Sequence, residues 1–263
     1  MVRLAGGTLR EAAVDLGIEG RTALVMAASR GIGRGIAGAL AGEGARVAVS
    51  SRSEEALRAV AEELGGDVRT FPADTGDLAR VRELAGEVAE ALGPVEILVT
   101  NTGGPPAGGA LDNTLEEWEA AFRSLVMAPR VLIEEVLPGM RERGWGRIVN
   151  VSSSSIREPI PGLALSNANR MAALGLLKTL ADEVAGDGIT VNTVATGMFA
   201  TDRLADRHGS LDQAEAAARE LIPARRLGRP EEYGDLVAFL CSERAAYLTG
   251  TVIPLDGGRL RSV

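Results

Sequence analysis

Seven short apolar runs, each bounded by turn residues, punctuate the chain: 22–26 (TALVM), 45–51, 67–73, 95–101, 146–153, 189–195 and 250–256. Runs of this length without strict polar alternation predict strands buried on both faces. Between them, apolar residues recur at helical spacing near 54–64, 77–92, 115–143, 163–186 and 230–242, and Ile36, Ala37, Leu40 and Ala41 carry the first run into a helix. Strands alternating with helices predict an α/β fold, a doubly wound seven-stranded parallel sheet with helices on both faces. The strand-to-helix loops of such a sheet open at one edge, where its ligands bind. The segment 197–224 is the least strand-like, carries charge and holds the lone His208, which predicts a mobile lid over that edge. Residues 1–20 carry a weak amphipathic pattern (Leu4, Leu9, Ala12, Ala13, Leu16) and read as a surface extension to a single domain over 21–263.

Composition narrows the classes. With 263 residues, 46% apolar and 24% charged, the chain can bury a full core. A net charge of −8 argues against a nucleic-acid or acidic-membrane partner, while Arg30 and Arg52 leave room for a small local basic site. No apolar stretch reaches bilayer length, and the first twenty residues, with Arg3, Arg10, Glu11, Asp15 and Glu19, lack a signal-peptide core. The expected location is the cytoplasm. The single cysteine, Cys241, follows an apolar run and reads as core packing, and no metal site is expected.

The turn after the first strand carries the clearest chemistry. Ala27 to Gly33 is rich in small residues and leads directly into a helix. A helix beginning there points free N–H groups and the positive end of its dipole into the loop, and glycines let a pyrophosphate approach the main chain. A dinucleotide is the expected guest; a turn shaped only for packing is the competing reading.

Further pieces follow in a fixed order: AASRGIG (27–33), Asp74, TNTGG (100–104), GRIVNVSS (146–153), GITVNTVATG (188–197), GRPEEYGDLVAFLCSERAAYLTG (228–250) and PLDGG (254–258). Over about 20–258 the chain resembles the short-chain dehydrogenase/reductase family, and within it the 3-oxoacyl-(acyl-carrier-protein) reductase-like group. The resemblance implies a Rossmann-type fold, a nicotinamide cofactor, and a homotetramer assembled through the helices near 115–143 and 163–186.

Carried over position by position, Ala27, Ser29, Arg30, Gly31, Ile32 and Gly33 form the phosphate loop. Met26 and Ala27 depart from the family's Thr-Gly start, and a methyl at Ala27 costs about 1 kcal/mol if that position needs positive φ. Ser51 stands where members preferring NAD(H) place an acid, and Arg52 and Arg30 offer a 2′-phosphate paired positive charge. NADP(H) is therefore the expected cofactor and NAD(H) the alternative. Ser51 to Glu54 also has capping-box spacing, a structural role compatible with the first. The resemblance places Asp74 and Thr75 near the adenine, Asn101 and Gly103 beside the adenosine, and Gly197 and Thr201 at the nicotinamide end; Asp74 can equally be a strand-end turn residue. Thr196 replaces the family's proline.

The catalytic half departs further. The family uses a Tyr donor, a Lys four residues later, a Ser thirteen residues before the Tyr, and an Asn on the preceding long helix. Ser153 matches the serine, but the Tyr position holds Ser166, the Lys position Arg170 and the Asn position Leu125, a non-standard tetrad. Tyr233 and Tyr247 fall outside the active-site segments. Arg170 carries a charge able to hold the nicotinamide ribose and polarise a substrate oxygen, yet is a poor proton donor. Ser152, Ser154, Ser155, Arg157, Glu158, Asn167 and Asn169 flank the site; Glu158 and His208 are alternative acids, each with a competing reading as a solvated surface group. Two functions remain open: an NADP(H)-dependent oxidoreductase acting on a carbonyl or alcohol, with a small-molecule or acyl-thioester substrate, and a non-catalytic NADP(H)-binding module, a sensor or assembly subunit.

Overall fold

The computed structural model describes residues 14–262, so the amphipathic pattern from Leu4 to Ala13 lies outside the described residues. The first strand, β1 (Thr22–Met26), is buried along its whole length. It is followed by α1 (Gly31–Gly42), β2 (Arg46–Ser50), α2 (Glu54–Leu64), β3 (Val68–Thr70), α3 (Leu78–Leu92) and β4 (Ile97–Thr100). Then come α4 (Leu115–Phe122), α5 (Ala128–Arg143), β5 (Gly146–Val151), α6 (Ala164–Val184) and β6 (Ile189–Thr196). The chain ends with α7 (Asp202–His208), α8 (Leu211–Leu221), α9 (Pro230–Leu240) and β7 (Val252–Leu255). The sheet is parallel, in the order β3-β2-β1-β4-β5-β6-β7. The strand order reverses between β1 and β4, which opens a crevice at their carboxyl ends.

Each face of the sheet has its own core. On one, Ile36, Ala37 and Leu40 of α1 and Tyr233, Val237 and Leu240 of α9 cover Val25, Val47 and Val99. On the other, Leu84 and Val88 of α3, Leu132 and Val136 of α5 and Leu177 of α6 cover Leu24, Leu98 and Ile148. Helices α1 and α9 meet at backbone distance, because a Cβ on Gly234 would stand 2.4 Å from the Gly35 carbonyl oxygen. Alanine at Gly234 would push the helix carrying the phosphate loop off its seat.

One expectation needs correction. The span 115–143 is not one helix: a π-helical turn, Arg123–Met127, separates α4 from α5. Pro129 accounts for it, since a proline lacks the N–H that would bond to the carbonyl of Leu125 and its ring clashes with that carbonyl. The 197–224 segment, expected as a lid, holds the two helices α7 and α8, each starting at a hydroxyl cap, Thr201 and Ser210. Ala214 and Ala218 of α8 pack into a separate small core with Met198, Ile222 and Leu227.

At the amino ends of the strands, away from the crevice, Arg147 is almost wholly buried and donates to the carbonyls of Ser242, Gly146 and Gly188. The guanidinium carbons of Arg21 and Arg147 lie 3.6 and 4.3 Å from the Trp145 ring centroid. Burial pushes the Cys241 thiol up to about 12, as befits a core residue with no chemistry. Among the described residues, no helix is long and apolar enough to cross a membrane.

Candidate active site

The crevice begins with the turn after β1. Ala27 has φ +47°, so the condition for strain at its methyl is met, and Gly31 follows at φ +55°. The carbonyl of Ala27 accepts from Asn101 Nδ2 at 3.2 Å, which ties the end of β4 to the loop across the point where the strand order reverses. A Cβ on Gly33 would stand 2.3 Å from that carbonyl oxygen and 2.8 Å from Asn101 Nδ2. Only glycine fits there. Helix α1 has neither a side-chain cap nor an acid in its first turn, so its free N–H groups and dipole are left for an anion.

The adenosine end of the crevice corrects one reading and qualifies three. Helix α2 is capped by Ser53, whose Oγ accepts from Ala56 N–H at 3.2 Å, and not by Ser51. Ser51 instead has a buried hydroxyl without a hydrogen-bond partner, a group expected to find one in a ligand. Arg52 is exposed beside it, while Arg30 lies 3.6 Å from Asp202 in a pair open to solvent on both sides. Such a pair is worth at most about 1 kcal/mol and yields readily to a phosphate. Asp74 is exposed, and its Oδ1 accepts from Gly76 N–H at 2.9 Å, the turn role foreseen for it. Thr75 Oγ1 lies 2.9 Å from Ser124 Oγ on the π turn. Gly103 is exposed with open space around its α-carbon. The orphaned Ser51 hydroxyl, the glycine cradle and the uncapped helix together fit a dinucleotide.

At the other end, Thr201 caps α7 and brings its methyl to 3.1 Å from where a Gly31 Cβ would stand, so the segment after β6 lies against the phosphate loop. Gly197 is held tightly, with Asp256 Cα 2.5 Å from its would-be Cβ. Thr196 Oγ1 stands 3.0 Å from the hydroxyl of Tyr233, which reaches the last residue of β6 from α9. Tyr233 therefore sits behind the crevice, closer than its place in the sequence suggests. Burial pushes its phenol up, against a smaller pull from the charge of Arg170, which makes it a poor acid.

Arg170 and Ser166 come together on the first two turns of α6. Arg170 donates from Nε to Ser166 Oγ at 3.2 Å and from Nη1 to the Val151 carbonyl at 2.9 Å, two residues before Ser153. Ser153 Oγ accepts from Ser155 N–H at 3.1 Å. The hydroxyls of Ser152 and Ser155 are buried without partners. Burial, and then the nearby charge of Arg203, push Arg170 down to about 10, so it remains a cation at neutral pH but no longer at every working pH.

Three of the other flanking groups, Glu158, Asn167 and Asn169, bond to the main chain. Glu158 Oε1 accepts from the N–H groups of Arg261 and Ser262, both at 2.8 Å, and those bonds hold its carboxyl below the ordinary range, the opposite of what a proton donor needs. Asn167 clasps the main chain of Ile160, and Asn169 donates to Leu165 O at 2.8 Å. Arg157 is exposed, and His208 lies in the last turn of α7. Leu125 is buried with Ala121, Val126, Leu165 and Ala173. A cavity of about 560 Å³ lined by Trp118, Phe122, Arg123, Met127 and Asn169 lies along the α4–α6 side, and neither Ser153 nor Arg170 lines it. Sequence reasoning missed the Thr196–Tyr233 pair; its signal was a hydroxyl in place of a proline.

Residues 26–259 match the family model described as enoyl-(acyl carrier protein) reductase. The chain is 37% identical to human dehydrogenase/reductase SDR family member 4 over 243 residues, covering 90% of this chain and 87% of that protein. It is 35% identical to the 3-oxoacyl-[acyl-carrier-protein] reductase FabG of Escherichia coli K12 over 248 residues, covering 92% and 98%. The crystal structure of L-sorbose reductase from Gluconobacter frateurii, complexed with NADPH and L-sorbose, superposes with a TM-score of 0.88 at 32% identity, covering 95% of this chain and all of that one. By its motifs, its strand order and these likenesses, the chain belongs to the short-chain dehydrogenase/reductase family of oxidoreductases.

Proposed function

We propose that the protein is an NADP(H)-dependent oxidoreductase that interconverts a carbonyl and an alcohol, with Ser153, Ser166 and Arg170 as its working groups. The observation that carries this reading is the bond from Arg170 Nε to Ser166 Oγ. It makes Ser166 an acceptor from the guanidinium and frees the serine's own hydrogen for donation to a substrate oxygen. Ser153 likewise accepts from the main chain and has its hydrogen free. Bound in the crevice, the reduced nicotinamide supplies a hydride. The two hydroxyls then hold the carbonyl oxygen as negative charge builds on it. Ser166 passes its hydrogen to the resulting alkoxide, and solvent restores it. The charge of Arg170 on Ser166 Oγ favours that transfer.

The preference for the phosphorylated cofactor rests on Ser51 with Arg52 and Arg30, and the NADPH held by L-sorbose reductase is consistent with it. Ala27, Ser29, Gly31, Ile32, Gly33, Asn101, Gly197 and Thr201 would line the rest of the cofactor site. An apolar Leu125 favours the second reading, a binding module without turnover, because it offers no group for a proton-relay water. A homotetramer built on α4, α5 and α6 belongs to the proposal and is supported by the exposed Phe122 and Met171.

The test is NADPH oxidation by the purified protein against 3-oxoacyl thioesters, ketones and quinones, beside the triple variant Leu125→Asn, Ser166→Tyr, Arg170→Lys. Turnover by the natural protein is expected. Turnover by the triple variant alone would leave the binding module as the reading.

A further inference from the structure

We propose that Glu158 is a positioning residue: it pins the loop that joins Ser153 to Ser166 onto the main chain of the segment after β7, at Arg261 and Ser262. The inference rests on the oxidoreductase reading and adds to it a group that acts through the serines without touching the substrate.

The loop 154–163 leaves β5 just after Ser153 and enters α6 just before Ser166. It opens with a single 3₁₀ turn, Ser154–Ile156. Beyond that turn Pro159 and Pro161 have no N–H to give, and Arg157, Pro159, Pro161 and Gly162 are exposed. The far end of the loop is held by α6 and by Gly108. Asn167, next to Ser166, donates to Ile160 O at 3.0 Å, and Gly108 N–H donates to Gly162 O at 2.8 Å. The near end is held by Glu158, whose Oε1 accepts from the N–H groups of Arg261 and Ser262, both at 2.8 Å. A cavity of about 110 Å³, with Ser154, Ile160 and Leu260 in its walls, lies between the loop and that segment. Packing therefore leaves the gap open, and the two hydrogen bonds span it.

The segment that supplies the donors is itself anchored. Asp256 Oδ1 accepts from Gly258 N–H at 2.9 Å and Oδ2 from Leu260 N–H at 2.7 Å, which folds 256–260 into a turn. Gly257 O accepts from Ala224 N–H at 3.0 Å, and a Cβ on Gly257 would stand 2.6 Å from Ile222 Cγ2, so the turn lies against the end of α8. Leu255 O accepts from Gly197 N–H at 3.0 Å, at the end of β6. On the loop side the hold runs directly toward the serine. Glu158 N–H donates to Ser154 O at 3.1 Å, and Ser155 N–H donates to Ser153 Oγ at 3.1 Å, the bond that leaves the hydrogen of Ser153 free. A displacement of about 1 Å at a reacting group costs about 10²-fold in rate, so this pin weighs more in turnover than in stability.

The experiment removes the pin from either side. Glu158→Ala deletes the acceptor, and Arg261→Pro with Ser262→Pro deletes the two donor N–H groups. Glu158→Gln keeps a carbonyl oxygen for both bonds and loses the carboxyl. Each variant, and Glu158→Ala combined with the two prolines, is measured for NADPH oxidation with a carbonyl compound that the natural protein turns over. NADPH affinity is read by fluorescence, folded fraction by urea unfolding, and amide exchange over 153–167 by mass spectrometry. Glu158→Ala and the two-proline variant are each expected to lose about tenfold or more in kcat, with faster exchange over 153–167 and NADPH affinity held within about twofold. Their combination should lose no more than either alone, because both cut the same contact, and Glu158→Gln should keep its rate within about threefold. Unchanged kcat in Glu158→Ala, additive losses in the combination, or a fall that matches the loss of folded protein overturns the inference and leaves the oxidoreductase reading intact. A Glu158→Gln variant as slow as Glu158→Ala also overturns it, since the carboxyl itself would then be at work. If the natural protein turns over no compound, the oxidoreductase reading falls and exchange decides the pin: faster exchange over 153–167 in both variants upholds it, and unchanged exchange overturns it.

Discussion

Arg170 donates to Ser166 across one turn of α6, at 3.2 Å, and to the carbonyl of Val151 at 2.9 Å, so a single guanidinium joins the helix to the end of β5 just before Ser153. The arrangement leaves the hydrogen of Ser166 free, as the main-chain bond to Ser153 Oγ leaves that of Ser153. It also makes the site's behaviour depend on the charge of one residue.

The first prediction concerns pH. The base form of Arg170 is favoured by burial and by Arg203, which brings its titration down to about 10. Below that pH the guanidinium is charged and polarises Ser166; above it the polarisation is lost. The rate is therefore expected to fall as pH rises through about 10, with the fold intact by circular dichroism. The limb should vanish from the reduced activity of Arg170→Gln. A natural enzyme flat through that range would refute the role.

Ser51 offers a second test. A carboxylate in place of its buried hydroxyl would repel a 2′-phosphate and accept from ribose hydroxyls instead. Ser51→Asp is expected to move the ratio of kcat/KM for NADPH over NADH toward NADH by at least about tenfold. No change in that ratio would detach Ser51 from cofactor choice.

Ala27 holds φ +47°, a conformation glycine adopts without cost. Ala27→Gly should raise stability by up to about 1 kcal/mol in urea unfolding, the relief of the methyl offset in part by a more flexible unfolded chain. A loss of stability would show that the methyl packs to advantage.

Arg147 is almost fully buried, and burial pulls its pKa down while Glu243 pushes back. Its value lies in the three carbonyls it satisfies. Arg147→Met fills a similar volume and leaves those carbonyls without a donor, so a loss of about 2–4 kcal/mol is expected in denaturant unfolding. A change below about 0.5 kcal/mol would mean that water takes its place.

The strands were legible because a parallel sheet covered on both faces demands uninterrupted apolar runs, and β1 coincides with its run while β3 and β7 are shorter than theirs. The glycine turn was legible because its steric demands admit few residues. Helices α7 and α8 were hidden by composition: α7 reads DRLADRH, and α8 buries only alanines, which leave a faint apolar stripe. Their signal lay in the caps, Thr201 and Ser210. The π turn was announced only by Pro129.

The most direct test of the account is the steady-state rate of Ser166→Ala with a carbonyl substrate turned over by the natural protein. The account predicts a fall in kcat/KM of about 10² to 10⁴ with NADPH affinity unchanged, as befits a hydrogen donor at the reacting oxygen. A Ser166→Ala enzyme that keeps its full rate would contradict it and move the proton to another group.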